Sequence, residues 1–84
     1  MMLSVEISLY PLTEQYVPVI LDFIERMRGY PGLDVQSNAL STQVFGDYAE
    51  VMAAVGAELR HSFETHGAAV LVAKFVPGDA RELR

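Results

Sequence analysis

Two histidines, His61 and His66, and no cysteine make up the imidazole and thiol chemistry available to this chain. The histidines stand five residues apart, off the i, i+4 step that places two ligands on one helical face for a metal pair. Near a helix C-terminus each instead suits the partial negative charge there, as a cap or a solvated residue. Gly29-Tyr30-Pro31-Gly32 matches neither a phosphate-binding loop nor a dinucleotide fingerprint. A Ser-His-Asp triad is defined by geometry, and chain order supplies none. No residue set reads as catalytic machinery, so the expectation is a protein that is not an enzyme and holds no metal or cofactor.

The polar residues of the extended segments say more. In residues 2–12, MLSVEISLYPL, Val5, Ile7 and Leu9 alternate with Glu6, Ser8 and Tyr10, a period of two that gives a strand one dry face. Its other face then carries a carboxylate, a hydroxyl and a phenol in a row. Asn38, Ser41, Thr42 and Gln43 crowd a second extended region. If the two segments are neighbours, about 4.8 Å apart, these donors and acceptors converge beside Tyr10 and Phe45. That composition suits a small planar polar heterocycle. The plainer interpretation is an open sheet with a solvated face, or polar contacts at a subunit interface. Alternation would turn Thr42 and Val44 toward the core, and a one-residue slip would exchange the faces.

The elements that must position these groups follow in order. Pro11 closes the first strand. Thr13 reads as the N-cap of a first helix reaching about Arg28, with Pro18 near enough to its start to be tolerated. Val17, Ile20, Ile24 and Met27, with Phe23 beside them, form its apolar stripe. After the Gly29–Gly32 break, two short strands are expected at about 33–37 and 41–45, joined by a turn at 38–40. Asp47 caps a second helix over about 48–66, with Tyr48, Val51, Met52, Val55, Leu59 and Phe63 as its stripe. Gly56 lies inside it, where it would permit close approach to the sheet, and Gly67 ends it. Residues 68–76 read as a strand buried on both faces, and residues 77–84 as a loosely ordered polar tail. The order β-α-β-β-α-β with right-handed crossovers gives an α+β, ferredoxin-like fold: a four-stranded antiparallel sheet, order 4-1-3-2, with both helices on one face. One domain over 1–84 is expected.

Apolar residues make up 51% of the chain, more than so small an interior can hide, which points to oligomerisation with part of the excess buried between subunits. A net charge of −5 with six scattered basic residues argues against nucleic acid and mildly favours a cationic ligand. The N-terminus lacks a signal-peptide pattern and no apolar run is long enough for a membrane span, so a cytoplasmic location is the default.

Residues 6–12, EISLYPL, followed by the first helix, resemble the opening of the YkoF-like thiamine/hydroxymethylpyrimidine-binding proteins. Residues 40–47, LSTQVFGD, are similar to that family's second signature. The resemblance implies a small ferredoxin-like module that assembles through its sheet into a homodimer or homotetramer and binds thiamine, or its pyrimidine moiety, without chemistry. It implies that Glu6 pairs with an aminopyrimidine, that Ser8, Asn38, Ser41, Thr42 and Gln43 supply further polar contacts, and that Tyr10 or Phe45 stacks on a ring or faces the thiazolium. The alternative is a structural or regulatory interaction module whose sheet serves a protein partner.

Overall fold

Leu3, Val5, Ile7 and Leu9 all fall on the buried side of the first strand, and the rest of the fold packs against that side. The computed structural model describes residues 1–83. It runs β1 (Met2–Pro11), α1 (Tyr16–Arg28), β2 (Asp34–Ser37), β3 (Thr42–Asp47), α2 (Tyr48–His66) and β4 (Ala69–Pro77), then a 3-10 turn at Ala80–Leu83. The four strands form one antiparallel sheet in the order β2-β3-β1-β4. This is the expected ferredoxin-like βαββαβ topology. Val19, Phe23 and Met27 of α1 and Val51, Ala54 and Val55 of α2 join the odd-numbered residues of β1 in one core, so both helices cover the same face.

Helix α1 starts later than the sequence suggests. Its N-cap is Gln15, without a side-chain hydrogen bond, and Thr13 Oγ1 accepts only from the Gln15 N–H at 3.3 Å. Proline explains the shift. Capped at Thr13, the helix would place Pro18 where it needs an N–H and would drive its ring into the carbonyl of residue 14. Starting at Tyr16 leaves Pro18 in the first turn, where the missing donor costs nothing. The buried stripe is Val19, Phe23 and Met27, with Ile20 and Ile24 half-buried; Val17, expected in the stripe, is exposed.

Asp47 does cap α2, its Oδ2 accepting from the Ala49 N–H at 3.2 Å. The buried face of that helix is rotated from the expected one. Val51, Ala54, Val55, Glu58 and Ser62 are inside, whereas Tyr48, Met52 and Phe63 are exposed and Leu59 is half-buried. Helix α2 packs on α1 as well as on the sheet, and that second contact takes small and polar residues. Glu58 is the clearest case, bonded by Arg26 Nε at 2.5 Å and Tyr30 Oη at 2.7 Å. Gly56 faces open space and makes no close approach to anything. Gly46 does: a Cβ there would stand 2.5 Å from Leu33 Cδ2 and 3.3 Å from Gly32 O, so a side chain at the end of β3 would have to displace Leu33. Gly67 closes α2 at φ 91°, in the region that favours glycine.

Strand β4 is an edge strand and is not buried on both faces. Ala69, Leu71 and Ala73 are half-buried on the helix side, and Val70, Val72 and Val76 are exposed on the other. The segment after it is also unlike the loose tail expected. Ser4 Oγ donates to Gly78 O at 2.9 Å and accepts from the Ala80 N–H at 2.8 Å, folding residues 78–82 back over one end of the open sheet face. Ser4 is buried for that reason, at 3% exposure, although it points away from the core. Arg84 lies outside the described residues.

Candidate ligand-binding site

Antiparallel register puts polar groups in rows across the open face. Glu6 stands opposite Gln43 on one side and Lys74 on the other, and Gln43 stands opposite Gln36, giving the row Gln36–Gln43–Glu6–Lys74. The next row toward the strap is Asp34–Phe45–Ser4–Val76. Side chains of one row are about 4.8 Å apart, and successive rows on one face about 6.8 Å. Between these rows and the 3-10 turn lies a cleft of about 400 Å³, lined by Glu6, Gln36, Gln43, Phe45, Lys74 and Arg81 among others.

Glu6 is its most adaptable group. Ser41 Oγ donates to Glu6 Oε2 at 3.0 Å, and Lys74 Nζ stands 3.6 Å from Oε1, with the Lys74 side chain 78% exposed. Neither contact saturates the lone pairs of an ionised carboxylate. Phe45 gives the cleft a buried aromatic wall at 6% exposure. The Arg81 guanidinium carbon sits 5.0 Å from that ring's centroid. Arg81 also reaches Asp34 Oδ2 at 2.7 Å and grips Asp79 through Nε at 2.8 Å and Nη2 at 2.6 Å. Hydrogen bonds from Gln36 and then Arg81 hold the Asp34 carboxyl below the usual carboxylate range, against the opposing effect of burial. Asp79 is lowered by Arg81, and Arg81 itself is raised by Asp79 and Asp34.

The residues expected to act together divide between two places. Glu6, Gln43 and Phe45 meet in the first cleft. Ser8, Tyr10, Asn38, Ser41 and Thr42 border a second one, of about 330 Å³, with Ile20 and Ile24 of α1. It opens because β3 pairs with β1 only as far as Thr42–Ile7, leaving residues 8–11 of β1 bonded to β4 alone. Ser41 links the two clefts through its bond to Glu6. Asn38 is occupied in the turn: Oδ1 accepts from the Leu40 and Ser41 N–H groups at 2.8 and 3.1 Å. Thr42 is on the core side of β3, opposite Ile7 and 6% exposed, with Oγ1 3.3 Å from Ser37 Oγ. It does not share a face with Gln43 and Phe45. Strand parity decides this, as Gln43 and Phe45 take the open side.

Asp34, Gln36, Lys74 and Arg81 were not singled out by their types. The first three follow once the register is known, because they occupy the matching positions of flanking strands. Arg81 has no such signal; its place depends on the strap anchored by Ser4.

The histidines do more than finish α2. His66 Nε2 and His61 Nε2 approach the same oxygen, Asp22 Oδ2 of α1, at 2.9 and 3.2 Å. The His66 hydrogen bond is the main reason the Asp22 carboxyl is lowered, with burial opposing it and His61 adding to it. Among the described residues no group of three or more His, Asp or Glu side chains is arranged to hold a metal ion, and no helix is long and apolar enough to cross a membrane.

Several solved structures share this fold. A Streptococcus pneumoniae protein superposes with a TM-score of 0.87 at 16% identity, covering 99% of this chain and 93% of its own. A Thermotoga maritima protein, provisionally described as a thiamine biosynthesis/salvage protein, superposes at 0.82 with 22% identity, over 93% of this chain and 85% of that one. A hypothetical protein of Methanocaldococcus jannascii does so at 0.80 with 22% identity, over 93% and 81%. At such identities the likeness is one of fold. No curated protein matches the sequence. The YKOF-related family matches residues 2–77, nearly the whole chain, and the protein belongs to that family.

Proposed function

We propose that this protein binds thiamine or its hydroxymethylpyrimidine moiety on the open face of its sheet, without catalysing a reaction, in sequestration, salvage or transport support. The observation that carries the reading is the unsaturated Glu6 carboxylate, with Ser41 Oγ on one oxygen and Gln43 opposite on the next strand. A carboxylate accepts from an exocyclic amine or a protonated ring nitrogen, and an amide beside it supplies both donor and acceptor. Family membership and the Thermotoga maritima protein's description agree with this ligand class. The thiazolium is cationic, which suits a chain of net charge −5.

Calorimetric titration with thiamine and, separately, with hydroxymethylpyrimidine tests it. Saturable binding at micromolar concentration or below is expected for at least one. Glu6→Gln is expected to weaken it about tenfold or more, the scale of a charge-assisted hydrogen bond. Unchanged affinity in that variant would remove Glu6 from the site.

The second reading is a homo-oligomeric interaction module. It is favoured by Val70, Val72 and Val76, exposed together along the open face of an edge strand. The two readings separate in a thermal melt, because a ligand that binds only the folded state raises the midpoint. Stable self-assembly with no response to either compound supports the second. Assembly itself belongs to both, and sedimentation is expected to show a dimer or tetramer.

A further inference from the structure

We propose that the second cleft binds a planar heterocycle with a hydrogen-bond donor and acceptor on adjacent atoms, a lactam or amino-azine edge, through the backbone of Leu9. The inference stands apart from the Glu6 reading and does not rest on it. It follows from the parity of β1. Met2 O accepts from the Gly78 N–H at 2.9 Å and the Leu12 N–H donates to Ala68 O at 3.0 Å, so even-numbered residues turn their backbone groups to β4. Met1 O accepts from the Tyr48 N–H at 2.8 Å, and odd-numbered residues face the β3 side. Pro11 obeys the same rule, since its position needs no N–H once β3 has turned away. Leu9 is the odd residue between Pro11 and Ile7, the last to pair with β3. Its N–H and C=O face the cleft with no partner among the described residues, although Leu9 is only 8% exposed. Buried backbone groups are almost always paired, by protein, water or ligand.

The surroundings fit a single flat ring. At about 330 Å³ the cleft is near the lower end of small-molecule pockets. Half-buried Ile20 and Ile24 give it an apolar wall from α1, and Tyr16 and Leu40 stand exposed at its border. An added peptide strand fits less well. Strand addition draws its affinity from a run of main-chain bonds. Between the Thr42–Ile7 pair and the end of β1, this edge offers one complete donor–acceptor pair, that of Leu9, and then a proline without an N–H. One pair matches the edge of one ring. The N–H and C=O of an extended residue point the same way. A ring carbonyl or ring nitrogen therefore accepts from the Leu9 N–H while the adjacent N–H of the ligand donates to the Leu9 C=O.

The test is NMR titration of the wild type with α-pyridone, N-methyl-α-pyridone and hydroxymethylpyrimidine, following the Leu9 and Gln43 amides, with hydrogen exchange measured at Ile7, Leu9 and Tyr10. In the free protein the Leu9 amide should exchange about tenfold faster, or more, than those of Ile7 and Tyr10, which the ladders protect. Millimolar α-pyridone should shift the Leu9 amide saturably and slow its exchange. N-methyl-α-pyridone keeps the ring but loses the N–H, and should bind about tenfold more weakly or worse. Ile20→Phe narrows the cleft and should abolish the Leu9 response while leaving a thiamine response at Gln43; Ile24→Phe repeats the block from the next turn if the first variant fails to fold. Leu9 exchange as slow as that of its neighbours, no shift with α-pyridone, or equal binding of the two pyridones overturns the proposal. A Leu9 response that survives in a folded blocking variant does so too. Hydroxymethylpyrimidine separates the two sites. A response at Leu9 without one at Gln43 supports this site and removes the pyrimidine from Glu6. A response at Gln43, with no compound shifting Leu9, overturns this site and leaves the Glu6 reading in place.

Discussion

Two glutamates of this molecule meet a cation and a hydroxyl in quite different ways. Glu58, between the helices, is 5% exposed and receives Arg26 at 2.5 Å and Tyr30 at 2.7 Å. Glu6, on the open sheet, has 43% of its side chain exposed, one hydroxyl at 3.0 Å and a loosely held ammonium at 3.6 Å. The first carboxylate is out of water and fully engaged; the second is partly desolvated and under-engaged. A buried charge must be matched to be tolerated at all, so its partners report on folding. A carboxylate with spare lone pairs in a cleft can exchange weak partners for a ligand. On the ligand-binding reading proposed above, partnering and burial, more than residue type, set Glu6 apart from Glu58.

The largest expected effect is at Glu58. Glu58→Ala removes two short bonds to one carboxylate and leaves the Tyr30 hydroxyl without its partner. A loss of about 2–3 kcal/mol in urea-induced unfolding at pH 7 is expected. Burial pushes the Glu58 carboxyl up, but the bonds from Tyr30 and Arg26 outweigh it and the net shift is below the ordinary 4.5. A depressed folded value means that the contribution is complete above the unfolded pKa and is lost as pH falls through the folded one. Wild-type stability should therefore decline below about pH 4.5, and Glu58→Ala should flatten that part of the profile. A variant as stable as the wild type would break the comparison at its structural end.

At Glu6 the effects should reverse. Glu6→Gln is expected to move the melting midpoint little, because exposed ion pairs contribute about 0–1 kcal/mol. Ligand affinity should fall about tenfold, or about 1.4 kcal/mol. A large stability loss with intact binding would make Glu6 a second structural carboxylate.

The contrast also explains what the sequence could and could not reveal. Alternation in β1 and the glycine-marked breaks carried the topology, because period and punctuation are local properties. The α2 face was misjudged because Met52 and Phe63 are the larger apolar residues, yet Ala54, Glu58 and Ser62 are the ones inside. Glu58 reads as a solvent residue until Arg26 and Tyr30, 32 and 28 positions away, are brought to it. Glu6, Gln43 and Phe45 were legible from parity. Arg81 was not, since its location depends on Ser4, 76 residues from the Ala80 N–H it anchors.

Gly56 tests that rotated face directly. An added methyl there meets nothing within 4 Å. Gly56→Ala should stabilise the protein by about 1 kcal/mol through helix propensity. The thermal midpoint should rise with ligand affinity unchanged. A lower midpoint would mean that α2 presents Gly56 to a neighbour, as the sequence first suggested.

Asp22 falls between the two glutamates and gives the smallest effect. Its side chain is 35% exposed, and one oxygen receives both His66 at 2.9 Å and His61 at 3.2 Å. It is better partnered than Glu6 and wetter than Glu58. Two bonds to Oδ2 imply a structural role, and exposure implies a small one. Asp22→Asn keeps the shape and an acceptor oxygen while removing the charge, so about 0.5 kcal/mol of destabilisation at neutral pH is expected. Because the Asp22 carboxyl is held below its ordinary 3.8, this contribution should persist above that value and vanish only as pH falls beneath it. A loss as large as that of Glu58→Ala would show that solvent exposure does not discount a doubly bonded carboxylate, and saturation alone would then rank all three.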